Sequence, residues 1–195
     1  MRAPDELILR TARTRVRMYR EADADRVYDT LRRWEVSRWL GDDPKVMVDR
    51  DEAVRRIAGW RSITEQDPRH GVWAIELRDS GLVVGTLLLV PAPDPEQEYG
   101  GAVEVGWHLH PDSWGHGYAR EAGAAGLGKG FADGLQEIYA FTHVTNTPSQ
   151  RVCAAIGMSR VKITTDQWYR GDMALFRITA DEHRAGTDPV APGRG

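Results

Sequence analysis

Residues 103–122, VEVGWHLHPDSWGHGYAREA, constrain this chain more than any other stretch. An alternating run ends at Pro111, a bend carries Gly115 and Gly117, and a helical pattern follows. The first turn of a helix leaves main-chain N–H groups unpaired. Those groups carry the positive end of the helix dipole, so an anion placed there is stabilised. Glycine in the bend lets the backbone approach phosphate oxygens with no Cβ in the way. The segment therefore suits a diphosphate, although the same glycines would also serve a tight strand-to-helix connection. Two other phosphate motifs are set aside. Residues 123–129 have the spacing of a P-loop, but Gly130 stands where Ser or Thr is needed, and the run lies within the expected helix. The dinucleotide fingerprint fails because Arg120 occupies the place of its third glycine.

The rest of the chain supplies a sheet and its helices. Residues 10–20 alternate Val16 and Met18 against Arg15 and Arg17 and read as a strand. Residues 21–40 read as a helix with Val27, Leu31 and Trp34 on one stripe, and 49–63 as a second helix with Val54, Ile57 and Trp60 on one face. Residues 72–77 and 82–90 form a hairpin turned by Asp79-Ser80-Gly81. A Pro-rich acidic loop, 91–101, precedes a strand at 102–110, and a helix at 115–131 follows in spite of its glycines. A strand at 136–144, a short helix at 149–155 ended by Gly157, and strands at 158–165 and 168–179 complete the pattern. From Ala185 on, Pro189, Pro192 and several glycines suggest a loose tail. The order predicts one α/β domain (mixed α+β), a central mixed sheet flanked by helices.

Composition narrows the function classes. The net charge of -3 provides no global attraction to nucleic acid or to an anionic membrane. Residues 1–10 have no apolar core of the kind a signal peptide needs. No apolar run reaches the ~20 residues of a spanning helix. With Cys153 as the single cysteine, no disulfide can form within the chain. A cytoplasmic protein with no nucleic-acid and no membrane partner is the expectation.

The segment Trp114-Gly115-His116-Gly117-Tyr118-Ala119-Arg120-Glu121-Ala122 resembles the acyl-CoA loop of the GNAT N-acetyltransferases, most nearly that of the RimJ/RimL-like branch that acetylates ribosomal-protein N-termini. Asn146-Thr147-Pro148-Ser149, then Val152, then Ile156-Gly157-Met158, resembles a second family segment. Glu35-Val36-Ser37-Arg38-Trp39-Leu40 resembles the early helix of the same branch. The likeness spans residues 7–179. It implies an acyl-CoA N-acyltransferase (GNAT) domain over 7–180 with a flexible tail at 181–195, and a mostly antiparallel, splayed sheet. It implies acetyl-CoA as co-substrate and no metal. The pantetheine arm would pair with the backbone of Trp107, His108, Leu109 and His110. The diphosphate would meet the main chain from Trp114 through Gly115, His116, Gly117, Tyr118 and Ala119, and Asn146, Ser149 and Cys153 would border the cofactor. A homodimer is compatible with the family. Two departures stand out: Asp112 where the loop pattern has Gln or Arg, and Cys153 where many members carry the Tyr that acts as acid.

Acetylating an amine requires a base to deprotonate the ammonium and is helped by an acid at the departing thiolate. Strand alternation puts Val103, Val105, Trp107 and Leu109 on one face and Glu104, Gly106, His108 and His110 on the other. The second set would face the cleft of the resembled fold, which makes Glu104 the leading base; the bland alternative is an ordinary surface glutamate. His108 and His110 could also be bases, whereas as an H-x-H metal pair they lack further ligands. With the Tyr missing, Ser149 is the expected acid or thiolate hydrogen-bond donor. Cys153 is otherwise a small packing residue, and Asn146 otherwise a helix N-cap.

The acceptor is expected to be a primary amine. Asp42, Asp43, Asp94, Glu96 and Glu98 lie in loops that border the acceptor cleft in the family, where carboxylates favour a cation. Three readings compete: an acetyltransferase for protein or peptide N-termini, one for small amines (aminoglycoside, polyamine or amino-acid-like), and a non-catalytic acyl-CoA-binding module.

Overall fold

The computed structural model describes residues 7–93, 101–166 and 169–187. Thr11 closes a turn between β1 (Leu7–Arg10) and β2 (Thr14–Arg17), its N–H donating to Thr14 O at 2.9 Å. The strand expected over 10–20 is present as the shorter β2, and β1, unforeseen in the sequence, pairs antiparallel with it. The helix expected over 21–40 is also divided, into α1 (Ala24–Leu31) and α2 (Trp34–Ser37), because Arg33 is extended. The break lets Val36 turn inward, 3% exposed, while Trp34 stands at 53%. Met47 N and Ser37 Oγ take up the carbonyl of Leu31 that the interruption frees. Asp49 caps α3 (Arg50–Gln66) by accepting from Glu52 N–H at 2.7 Å.

The remaining elements are β3 (Gly71–Leu77), β4 (Val83–Pro91), β5 (Val103–Leu109), α4 (Tyr118–Ala132), β6 (Glu137–His143), α5 (Thr147–Ala155), β7 (Ser159–Thr165), β8 (Asp172–Thr179) and α6 (Ala180–Thr187). Eight strands form one sheet in the order β1-β2-β3-β4-β5-β6-β8-β7. Every neighbouring pair is antiparallel except β5 and β6, which the α4 crossover makes parallel. The tail expected from 181 instead begins as α6, against which Phe131 packs through His183 at 4.9 Å between ring centroids. Residues 188–195 lie outside the described residues.

Each sheet face has its own core. Val16, Trp73, Ile75, Leu87, Leu89, Val105 and Ile138 pack against Ala122 and Leu127 of α4 and Cys153 and Ile156 of α5. On the other face, α1, α2 and α3 bury Val27, Leu31, Val36 and Ile57 against Tyr19 and Ala74. The many glycines of α4 have a packing cause. A Cβ on Gly130 would stand 2.6 Å from Ile138 Cδ1, and one on Gly123 would stand 3.2 Å from Trp107. The helix thus lies closer to β5 and β6 than a side-chain-bearing face would allow.

Candidate active site

Strands β5 and β6 touch at a single register point, Glu104 opposite Tyr139. Beyond it they diverge, so the C-terminal half of β5 has a neighbour on the β4 side alone. His110 N–H donates to Val84 O at 3.0 Å. Main-chain groups of alternate residues in a ladder address the same neighbour. His108 and His110 therefore turn their backbone to β4, and Val105, Trp107 and Leu109 turn theirs to the gap. Of the four residues expected to pair with a pantetheine arm, two face it. Leu109 O already accepts from Trp114 Nε1 at 3.0 Å, which fixes the start of the bend.

The bend itself follows from its glycines. Gly115 and Gly117 both have φ +79°, the left-handed region, and Gly117 is the N-cap of α4. The first intrahelical bond on Gly117 is from Glu121 N–H at 3.0 Å, which leaves the N–H groups of Tyr118, Ala119 and Arg120 without a helical acceptor. Nothing lies within 4 Å of a Cβ position on Gly115, and at Gly117 the one near atom is Arg13 Nη2, at 3.5 Å. The result is an open cradle of N–H donors at a 15-residue helix's positive end. Arg13 braces it from the β1–β2 turn, donating to His116 O at 2.9 Å and to Glu121 at 2.7 Å. Asp112 points elsewhere: both its oxygens accept from Arg26 Nη2, at 2.8 and 2.9 Å. This residue, a departure from the resembled loop, ties the bend to α1.

Glu104 is 8% exposed, and its Oε2 accepts from the hydroxyl of Tyr169 at 2.6 Å. Burial pushes its carboxyl up to about 7, with the Tyr169 bond opposing the rise. The Tyr169 hydroxyl is pushed well above the usual phenol range by its own burial and then by the Glu104 charge. Tyr169 sits between β7 and β8, its ring edge-on to Phe141 at 5.5 Å, and the next residue's N–H donates to Asp42 Oδ1 at 2.8 Å. The α2–α3 loop and the β7–β8 turn thus meet over Glu104. Trp39, just before Asp42, packs on His143 of β6 at 5.7 Å. Asp94, Glu96 and Glu98 lie outside the described residues.

The two other histidine candidates are committed elsewhere. His108 Nε2 lies 2.8 Å from Thr86 Oγ1, and burial, then the Arg56 charge, lower its pKa to about 4. It is neutral at pH 7 and borders a recess under α1 with Tyr19, Arg26 and Thr30. His110 is 5% exposed with Nε2 2.9 Å from Asp29 Oδ2. On α5, Asn146 is the N-cap and accepts from Ser149 N–H at 3.3 Å. The Ser149 side of the helix is half-buried. Cys153 is 1% exposed within the main core, and burial pushes its thiol up to about 12. A packing role accounts for it, and such a thiol is not a nucleophile at neutral pH.

Two residues of this site escaped the sequence. Arg13 lay in a stretch whose alternation marks only a strand. Tyr169 follows β7 with no motif around it; its one visible signal is an aromatic in a turn that closes the sheet near the Glu104 strand.

A sheet opened between two parallel strands, with a donor cradle at one end of the gap and a buried carboxylate at the other, defines an acyl-CoA-dependent acyltransferase. A family model described as an acetyltransferase (GNAT) domain matches residues 13–159, and the chain belongs to that family. It is similar to YoaA of Bacillus subtilis (strain 168), an uncharacterized N-acetyltransferase, with 25% identity over 84% of this chain and 89% of that one. Among solved structures, Mycobacterium smegmatis RimJ in complex with CoA-disulfide is 26% identical, with a TM-score of 0.67 over 87% of this chain and 83% of that one. RimL, a ribosomal alpha-N-protein acetyltransferase solved with coenzyme A, superposes with a TM-score of 0.74 at 14% identity, over 91% and 99% of the two chains. The protein is an acetyl-CoA-dependent N-acetyltransferase. No helix among the described residues is long and apolar enough to cross a membrane.

The residues present fit the co-substrate. The Gly115–Gly117 cradle has room for phosphate oxygens where a Cβ would stand, and the gap beside Trp107 offers unpaired strand backbone.

Proposed function

We propose that the enzyme acetylates the α-amine of a protein or peptide N-terminus, with Glu104 as the general base. The observation that carries the reading is the place of Glu104: a buried carboxylate, with a pKa near 7, at the last paired position before the strands part. A base with a pKa close to the working pH is both largely ionised and strong enough to accept a proton from an ammonium. Bound acetyl-CoA supplies the activated acetyl group as its thioester. Val105 and Trp107 main-chain groups hold the arm, and the cradle of Tyr118, Ala119 and Arg120 N–H groups binds its diphosphate. Glu104 takes one proton of the incoming ammonium, the free amine attacks the thioester carbonyl, the C–N bond forms as the C–S bond breaks, and the second amine proton passes to the departing thiolate, relayed by Ser149 or by solvent.

Asp42 supports a cationic acceptor, and Trp39, Tyr169 and His143 provide flat polar-edged surfaces on which a peptide can lie. RimL, an alpha-N-protein acetyltransferase of similar fold, supports the same acceptor class. A thiol-release assay over peptides with free N-termini, their Nα-blocked counterparts, aminoglycosides and polyamines tests it. Turnover confined to free N-termini is the expected result; turnover confined to small amines would move the assignment to the second acceptor class. Glu104→Gln should cut kcat by ~10²-fold or more with little change in acetyl-CoA affinity. Wild-type turnover in that variant would remove the base.

A further inference from the structure

We propose that Tyr169 is a positioning residue for the general base: its hydroxyl holds one oxygen of Glu104 and stabilises the ionised carboxylate, and the Asp42 contact makes that support part of the wall of the acceptor cleft. The inference rests on the reading of Glu104 as base and adds to it a residue outside the matched family segment, which ends at residue 159.

The geometry has three parts. The Tyr169 hydroxyl is 2.6 Å from Glu104 Oε2, a short charge-assisted bond in a buried setting. The ring is fixed edge-on against Phe141, two residues beyond the Tyr139 that pairs with Glu104, so β6 sets the reach of the phenol. The turn bearing it is pinned by Arg170 N–H on Asp42 at 2.8 Å. Without that pin a tyrosine on a turn would pay conformational entropy each time it reached the carboxylate.

The groups facing Glu104 come from each element packed on it. Val90 stands across on β4, Tyr139 beside it on β6, and Tyr169 over it from the β7–β8 turn. Asp42 faces Tyr169 rather than Glu104. Among the described residues no cation acts on the carboxylate. A lone buried glutamate in such surroundings would hold its proton through neutral pH and be a poor base. The Tyr169 hydroxyl acts the other way, because a donor to the charged form favours ionisation. It occupies one oxygen and leaves the second to receive the ammonium proton. Tyr169 itself passes no proton to the reacting atoms.

The experiment is the pH dependence of kcat/KM for the full chain and for Tyr169→Phe, Glu104→Gln and the double variant, with a reactive amine acceptor. The wild-type acid limb is expected near pH 7. In Tyr169→Phe it should move up by about one pH unit or more, so that the loss of rate is larger at pH 7 than at pH 9. Glu104→Gln should lose the limb, and adding Tyr169→Phe to it should cost nothing further. An acid limb that stays in place in Tyr169→Phe while Glu104→Gln is inactive overturns the role of Tyr169 alone. A fully active Glu104→Gln overturns the base and this inference together. Acetyl-CoA affinity by calorimetry, expected to be unchanged in Tyr169→Phe, separates the effect from general damage to the fold; a weakened affinity with a uniform loss of rate at every pH would also overturn it.

Discussion

Glu104 should weaken the fold at the pH where it works. An unfolded glutamate titrates near pH 4.3, and in the folded chain burial raises the group to about 7. Between those values the folded state binds more protons than the unfolded state, so stability falls as pH rises. The contribution is complete below about pH 4 and lost by about pH 8, on the order of 4 kcal/mol at most. Glu104→Gln keeps an acceptor for Tyr169 and carries no charge. Its melting temperature should therefore exceed that of wild type at pH 8 and converge with it toward pH 4; parity at pH 8 would show that the carboxylate is better solvated than its burial indicates. The residue was legible in advance because period-2 alternation separates Glu104 from Val103 and Val105 on one strand. Its partner was not. The Tyr169 contact crosses 65 positions, and alternation within a strand carries no information about which turn will fold over it. The same limit applies to Cys153, whose place on α5 was readable but whose enclosure by the main core depends on every element around it.

At the scale of the element, the bend before α4 is where sequence and conformation agree most closely. Both glycines hold φ +79°, which costs an L side chain roughly 1–2 kcal/mol. Gly117→Val adds a β-branched group at the N-cap, against Arg13. Acetyl-CoA affinity should fall by about tenfold or more, from strain that the bound loop cannot relieve. Gly115→Ala meets no atom within 4 Å, so it isolates the dihedral cost from crowding and should weaken binding less. Calorimetric titration with CoA distinguishes the two, and unchanged affinity in both would place the diphosphate elsewhere. Strands and helices with clear periodicity were legible in type, and their ends were less so. The division of residues 21–40 into α1 and α2 could not be read from the stripe of Val27, Leu31 and Trp34, since it depends on Val36 finding the second core in place of Trp34. The β1–β2 turn was missed for a related reason: the Thr11 and Thr14 pair that closes it offers no glycine, proline or asparagine as a marker.

Across the whole molecule, the layer of α1 to α3 must be held at a fixed height over the sheet, because it carries Asp42 and Trp39 to the open end of the β5–β6 gap. Apolar contact supplies the attraction, and a buried ionic cluster supplies the register. Arg17 on β2 is 2% exposed; it donates to Glu76 on β3 at 2.5 Å and to both oxygens of Asp23, at 2.8 and 2.9 Å, in the short turn that opens α1. Asp23 in turn accepts from Arg20 N–H at 2.8 Å, and Arg15 makes a second ion pair with Glu76. One guanidinium therefore joins two strands to the start of the helical layer. Arg17→Met keeps much of the volume and leaves two carboxylates, Glu76 at 1% and Asp23 at 9% exposure, without their shared cation. Breaking a buried pair in this way costs about 3–5 kcal/mol. Arg15 remains on Glu76, so the lower end of that range is expected. Adding Glu76→Gln to Arg17→Met should recover part of the loss at pH 8, since one of the two stranded charges is removed. Urea melts at pH 8 measure wild type and both variants. A small loss would mean that apolar packing alone sets the height of the layer. A large loss that Glu76→Gln relieves would assign the register of α1, and with it the position of the acceptor loops, to this one arginine.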